Sequence, residues 1–531
     1  MLRSVYLTLI YIAFVTLGVA APFVFSLGYV WVDTFTPQNV AYSILPSIPV
    51  SLIMALLAIG GYVIMDRRDP PGISLILVLT VLFAGWVTFT TAVLAVSPWS
   101  AWTKWNWAVK TILFSAFIPY VFRSRVQIEA FLQIYLFSLA IHVLPTGLKT
   151  IINGGGYGMA LGVVSGNSGF AEGSTLAAVA LMLLPIILYL RNHTILVPKH
   201  PITNLMYIGL AVATITCAVG TYARTGLIGM LVVGTGLWLR TRHKVTYGLM
   251  GAVAGAALVF FTSSAWNERI STINDYKSEG SALGRILVWK WTLDFVAHNP
   301  LGGGFNSYEV NEIRFPAADG GLEDDVFRGK AFHSIYFEVL GEHGWPGLAL
   351  FGALIVTAFL SLQRTSRWAK KTPGMEWLRE LAYALQVSLI TLLACGSFIG
   401  VAFQPMLYYM FALSACLAHH VQRLKKGAAD AAKQQRSWRD RPALPKPAGP
   451  ALPEPAVAAG GGWRAAPAAK GLAGGPAYKP PAPARQPGWR NRPAAGTATL
   501  AATPALVGSQ DAGWRGRAAP ARMEGDLPVK G

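Results

Sequence analysis

Charge is scarce in this chain. Aspartate, glutamate, lysine and arginine make up 13% of its residues, roughly half the share of a typical soluble domain. Cysteine is nearly absent as well. Cys217, Cys395 and Cys416 all fall in apolar stretches, where they read as small buried side chains and not as parts of a disulfide or metal cluster. What fills the space is apolar: 53% of 531 residues are hydrophobic and mean hydropathy is +0.45. An ordinary soluble protein of this size is excluded. Spanning a bilayer takes roughly 20 consecutive apolar residues in a helix, whose backbone satisfies its own hydrogen bonds in lipid.

Twelve such runs are present, at about 4–21, 43–65, 73–96, 105–122, 128–147, 174–190, 204–220, 225–240, 245–263, 334–362, 381–402 and 405–421. The first reads as an uncleaved span and not as a removable signal, because many more follow. The stretch 22–32 is expected to dip into the interface. With the N-terminus in the cytoplasm, the cytoplasmic loops carry Arg67 and Arg68, Arg123 and Arg125, Arg191 and Lys199, Arg240, Arg242 and Lys244, and Arg364, Arg367, Lys370, Lys371 and Arg379. The short loops on the other side carry only Lys104, Lys149 and Arg224. That asymmetry obeys the positive-inside rule. The expected fold is all-α: a polytopic inner-membrane protein of about 12 helices, both termini cytoplasmic, with one large periplasmic loop.

The expected organisation follows. Residues 1–190 hold spans one to six, 191–263 spans seven to nine, 264–345 the periplasmic loop and its site, 346–422 the last spans, and 423–531 a tail. From about Gly427 the composition turns to Ala, Pro, Gly and Arg, which cannot bury enough apolar area to offset its ordering entropy. A disordered cytoplasmic tail is expected. Residues 422–531 hold 18 basic and 6 acidic side chains, so +12 of the net +19 resides there. Trp-Arg pairs recur about every 25 residues, at Trp438, Trp463, Trp489 and Trp514. The sharper reading of this tail is a tether to anionic headgroups or an acidic partner. Basic groups scattered through Pro/Ala sequence, with no folded module, do not argue for nucleic acid.

The loop 264–332 carries ten carboxylates together with Arg269, Lys277, Arg285, Lys290, Arg314, Arg328 and Lys330. Four clusters stand out: Trp266 to Ile273 with Asp275-Tyr276; Ser281 to Arg285, followed by a helical pattern with Trp289 and Trp291; the turn Asn299 to Phe305, with three successive glycines; and His333 through Gly347. Guanidinium groups stay charged and suit the two phosphates of a lipid pyrophosphate. Arg224, in the turn Tyr222 to Gly226, joins them on the same membrane side. Singly, each arginine reads equally as an ion-pair or headgroup contact. His333 is a candidate general base, since imidazole titrates near neutrality, although a lone histidine at a helix start is commonly a cap. Glu338 and Glu342 share a helix face. Glu342 lies half a turn round from His333 and about 13 Å along the axis, so its expected partner is a buried arginine. Asp319, Glu323, Asp324 and Asp325 fit no calcium-loop spacing and read as solvated, and His142 reads as a satisfied polar packing residue.

In their order, the Arg224 turn, the Arg285 cluster, the Pro-x-Gly-x-Gly turn and the stretch from His333 to Gly344 resemble the O-antigen ligase and polymerase superfamily. The closer resemblance is to the O-glycosylation ligases associated with exosortase A systems, and it takes in Trp86, Lys110, Trp289, Gln386 and Tyr408-Tyr409. It covers about 1–420. Two departures stand out: Phe170 to Ser174, with Glu172, replaces an expected Asn-Asn pair, and the Arg224 turn reads Tyr-Ala-Arg-Thr-Gly where Ser-Arg-Gly is usual. The resemblance implies a glycosyltransferase with no cofactor or metal. It would take a glycan from an undecaprenyl-pyrophosphate-type donor to a hydroxyl on a protein or polysaccharide acceptor. Arg224, Arg269 and Arg285 would hold the pyrophosphate, His333 would act as base, and Glu338 and Glu342 would support. Three alternatives remain open: a polymerase on the same donor, a flippase for lipid-linked glycan, and a non-catalytic scaffold. Few carboxylates in the span interiors and no visible repeat of one half in the other weigh against the flippase.

Overall fold

The computed structural model describes residues 2–66, 68, 70–154, 170, 172–246, 248–249, 251–252, 280–316 and 322–439, within one compact unit, Met1–Ala443. The expected tail from residue 440, the loop 155–169 and most of the ninth span, with Arg269 and Asp319, lie outside the described residues.

The helices follow the apolar runs. They are α1 (Leu2–Ala20), α2 (Phe23–Phe35), α3 (Pro37–Val40), α4 (Val50–Met65), α5 (Leu75–Leu94), α6 (Pro98–Val121), α7 (Arg125–Asn153), α8 (Gly173–His193), α9 (Pro201–Gly220) and α10 (Arg224–Arg240). After them come α11 (Gly280–His298), α12 (Ile335–Lys370), α13 (Glu376–Gly396) and α14 (Pro405–Arg439). Seven are long and apolar enough to cross a membrane: α1, α5, α7, α8, α9, α12 and α13. The expected twelve are thus not matched one for one. α4 and α10 have only 16 and 17 residues.

α8 is apolar around its whole circumference, as a central helix must be. Its residues 175–187 are all buried, and it packs against α7, α9, α10 and α13. α5, α6, α12 and α14 form the neighbouring wall. Ser124 opens α7 with a reciprocal capping box to Gln127, the arrangement that satisfies two orphan N–H groups at a helix start.

Several expectations change. The stretch 22–32 lies mostly in α2, which is buried from Phe25 to Val32 and packs on α1, α4 and α7. Span interiors do hold carboxylates, since Glu129, Glu338 and Glu342 sit buried in helices, and Asp33 is half-buried in α2. Each is met by donors from other elements. Tyr409 and Thr111 donate to Asp33 at 2.6 and 2.9 Å, and Thr194 with the Ile195 and Leu196 amides donates to Glu129. The helix α14 runs on to Arg439, past the start of the expected tail, because Ala428 to Arg436 is mostly Ala, Lys, Gln and Arg, all strong helix formers. The fold is also not wholly helical. Strands β1 (Glu312–Pro316) and β2 (Leu322–Arg328), which carries Glu323 to Asp325, pair as an antiparallel hairpin in the large loop.

That loop has its own small core. Val288 on α11, Ile313 on β1 and Phe332 are buried together, with Trp291, Tyr308, Phe315 and Phe337 around them. Its glycine turn is stitched to the membrane bundle. α12 breaks at Gly344 (φ 66°, ψ −167°), which frees three carbonyls. Gly303 and Gly304 donate to the carbonyls of Gly341 and Glu342 at 3.1 and 2.8 Å, and Trp86 Nε1 donates to that of His343 at 2.8 Å. Gly302 has φ +88°, and a Cβ there would lie 2.5 Å from the Gly344 nitrogen and 2.6 Å from the Glu342 oxygen. Only glycine permits both the conformation and the approach.

Gly302→Ala is therefore expected to cost at least about 2 kcal/mol through left-handed strain and overpacking. Thermal unfolding of the purified protein in detergent, compared with Gly72→Ala, whose Cβ meets nothing, reads this out. An unchanged midpoint for Gly302→Ala would remove the steric argument.

Candidate active site

His333 sits between two anchored residues. Phe332 and Ser334 are 2% and 1% exposed, and Trp289 Nε1 on α11 donates to the Phe332 carbonyl at 2.8 Å. The Trp289 indole also stacks on Phe337, one turn into α12, at 5.0 Å between centroids. Held from both sides, His333 adopts φ +48°. A non-glycine residue in this region costs of order 1–3 kcal/mol and persists only where its surroundings over-determine it. The histidine is not the helix cap. Ser334 occupies that position, and its side chain makes no capping bond.

The electrostatic neighbours of His333 come from four elements. Burial holds its imidazole below the ordinary 6.5, the charges of Arg285 on α11 and of Lys330 add to that depression, and the charges of Glu172 and Glu338 oppose it. The predominant form at neutral pH is therefore neutral imidazole, which can accept a proton. Lys330 lies over the Phe315 ring at 4.5 Å. Its backbone is clamped by the Asn311 side chain, which accepts from Lys330 N at 2.9 Å and donates to Lys330 O at 2.6 Å. Its own ammonium is depressed by burial and by Arg285. Gly284 leaves the room that the Lys330 ammonium fills.

Arg224 begins α10 at the same end of the bundle. Thr225, next to it, accepts through its carbonyl from Cys395 Sγ at 3.5 Å, and Gly396 packs against Ile335 at the start of α12. Arg224, Arg285 and His333 are thus gathered at one end of α10, α11, α12 and α13.

Glu338 and Glu342 do share a face, and the cation they face is a lysine and not the expected arginine. Lys104 lies in α6 with its side chain 11% exposed, whereas the sequence placed it in a short loop. Its Nζ donates to Glu338 Oε1 at 2.7 Å and to Glu342 Oε1 and Oε2 at 2.8 and 3.1 Å. The Asn306 amide donates to Glu342 Oε1 at 2.9 Å, and the Ala402 amide to Glu338 Oε2 at 3.0 Å. The rings of Phe305 and Phe403 pack over the ammonium at 5.4 and 4.9 Å. Glu342 does not reach His333. Glu338 does act on it through its charge, which opposes the depression of the His333 imidazole.

Three residues of this site were missed in the sequence. Lys104 carries a signal in hindsight, being a cation in the second turn of a helix rich in tryptophan and aliphatic residues. Glu172 is the carboxylate that replaces the expected Asn-Asn pair. It precedes α8, where its carbonyl and side chain take the Leu176 amide at 3.0 Å and the Thr175 hydroxyl at 3.2 Å. Lys330 was one of seven loop cations, with nothing to single it out. His142 is buried as expected and stacks on Phe170 at 4.6 Å between ring centroids.

Comparison with known proteins agrees with this geometry. Residues 2–195 match a family of unknown function (DUF5935), and residues 209–352 match the O-antigen ligase family. No curated protein matches the chain. The second match takes in Arg224, Arg269, Arg285, His333, Glu338 and Glu342. It supports the O-antigen ligase superfamily, and with it a multi-pass membrane ligase that transfers a glycan.

Removing Lys104 would strand two buried carboxylates, which costs on the order of 3–5 kcal/mol. Lys104→Met is expected to lower the unfolding midpoint sharply, and adding Glu338→Gln and Glu342→Gln to it should recover much of the loss. A Lys104→Met protein as stable as wild type would show that the cluster does not hold the fold.

Proposed function

We propose, with the O-antigen ligase match as premise, that this chain transfers a glycan from an undecaprenyl-pyrophosphate-type donor to a hydroxyl acceptor on the periplasmic side of the bacterial inner membrane. Protein O-glycosylation or exopolysaccharide assembly of the exosortase-associated kind is the setting. The observation that carries the reading is His333, neutral and rigidly held on a strained turn, beside the guanidinium of Arg285 at a membrane surface.

The chemistry follows from the residues. His333 accepts the proton of the acceptor hydroxyl as its oxygen forms a bond to the anomeric carbon. The bond from that carbon to the pyrophosphate oxygen breaks, and the electron pair leaves with the lipid pyrophosphate. Arg224, Arg269 and Arg285 hold the two phosphates and stabilise the charge that develops there. Glu338, tied to Lys104 and Ala402, supports His333, while Glu342 secures the glycine turn behind it. Neither a metal nor a cofactor enters this scheme. In the layout this reading requires, both termini are cytoplasmic and His333 and Arg224 lie outside the cytoplasm, where flipped lipid-linked glycan is presented.

Buried carboxylates tied to donors on other helices suit a fixed scaffold better than a moving ion path, so the flippase reading is not favoured.

Membranes supplied with lipid-linked glycan provide the test. His333→Ala should lower transfer by about a hundredfold or more while the protein still inserts and folds, and Arg285→Ala should lower it as well. Full activity in His333→Ala would sink the base assignment, and the product identifies the acceptor and separates ligase from polymerase. The pH profile gives a second check. Because burial and two cations depress His333, the acid limb of kcat/KM should have its midpoint below pH 6.5. Lys330→Gln removes a charge that lowers it, so the limb should move up. A limb that stays in place would mean that His333 is not the group titrating.

A further inference from the structure

The end of the bundle farthest from His333 carries a second built site. A cavity of about 480 Å³ opens between the last turns of α10 and α12 and the first turns of α13, lined by Arg240, Arg367, Lys370, Arg379, Tyr383 and Gln386 among others. Arg224 starts α10 and Arg240 ends it. Seventeen helical residues span about 25 Å, so the cavity lies roughly a bilayer's hydrocarbon thickness from the candidate active site.

Four cations face this space, and only one carboxylate answers them. Glu380 Oε1 accepts from Arg240 and from Arg379, both at 2.8 Å. Among the described residues, neither Arg367 nor Lys370 has an ion-pair partner. The cavity therefore keeps a net positive charge. Its walls are pre-set: the Arg240 guanidinium lies 4.3 Å over the Tyr383 ring. The Tyr383 hydroxyl donates to the Gly236 carbonyl at 2.5 Å, and Gln386 donates to Gln363 at 2.9 Å. A pre-organised cationic pocket loses little ordering entropy when an anion enters.

The surface leading to the cavity is apolar. On α12, Val356 and Leu360 are 56% and 43% exposed. They stand eleven and seven residues before Arg367, on the same face of the helix. On α10, Leu231, Trp238 and Leu239 are exposed as well. A free anion has no use for such flanks, whereas acyl chains do.

We infer that this cavity holds the phosphate headgroup of an anionic phospholipid, with its chains lying along the exposed faces of α10 and α12. Basic pockets between helices at a membrane surface take such headgroups through the guanidinium fork.

Native mass spectrometry of the full chain in neutral detergent tests this, with phosphatidylglycerol, phosphatidylcholine and inorganic phosphate as probes. Phosphatidylglycerol should be retained in preference to the other two. Arg240→Gln with Arg367→Gln should weaken its binding about tenfold or more, while Arg314→Gln with Arg328→Gln, an equal charge change on the β1–β2 hairpin, should not. Retention of phosphate as good as that of phosphatidylglycerol would make this a free-anion site and overturn the lipid assignment. So would equal retention of phosphatidylcholine, or unchanged binding in the double variant. Lys370→Gln provides the same comparison, with a smaller loss expected, should the double variant fail to insert.

Discussion

One lysine and two glutamates, buried between α6 and α12, set the terms for the rest of this structure. Charges taken out of water are expensive, and at membrane depth they are tolerated only when paired and hydrogen-bonded. Lys104 cannot satisfy Glu338 and Glu342 by itself. The amides of Asn306 and Ala402 complete the shell, and those two amides belong to the glycine turn and to the turn between α13 and α14. Meeting the needs of one ion cluster therefore fixes four separate pieces of chain around the start of α12.

The break at Gly344 works with that cluster. A helix interrupted inside a bundle exposes carbonyls that must find donors, and here the donors are Gly303, Gly304 and Trp86. The large loop is consequently docked on the membrane helices through backbone atoms, and its small core of Val288, Ile313 and Phe332 is held above them. His333 lies on the short segment between that core and α12. Its left-handed conformation is the local cost of joining two units that are each independently anchored. The same anchoring holds a neutral imidazole beside Arg285 and Lys330 at the membrane surface.

The two ends of the bundle have different electrostatic characters. At the His333 end, cations are mixed with carboxylates from α8 and α12, as suits a site where a proton moves and charge develops. At the opposite end the cations exceed the carboxylates, and the excess faces a cavity flanked by apolar helix surface. α10, α12 and α13 run through both, so these three helices tie the candidate active site to the opposite end of the bundle.

How much of this was legible in the sequence varied with the kind of feature. Helix positions were, because a span in lipid must be apolar along its length, and composition alone reveals that. The expected runs and the observed helices overlap from α4 to α10 and again at α12 and α13, whereas the buried α2 and the hairpin β1–β2 were not foreseen. The candidate residues around His333 were also visible, since histidine, arginines and glycines in an apolar chain stand out by contrast. The partnerships were not. Glu342 was expected to meet an arginine and meets Lys104, some 240 residues away in the chain, and Glu172 looked like a mere departure from a family pattern. The sequence by itself determined an apolar multi-helix chain with a polar, histidine-bearing loop, because hydropathy is a local property. Only the tertiary structure decided which charges neutralise one another and how His333 is held, because desolvated charges choose partners by proximity in space, and that depends on how all the helices pack at once.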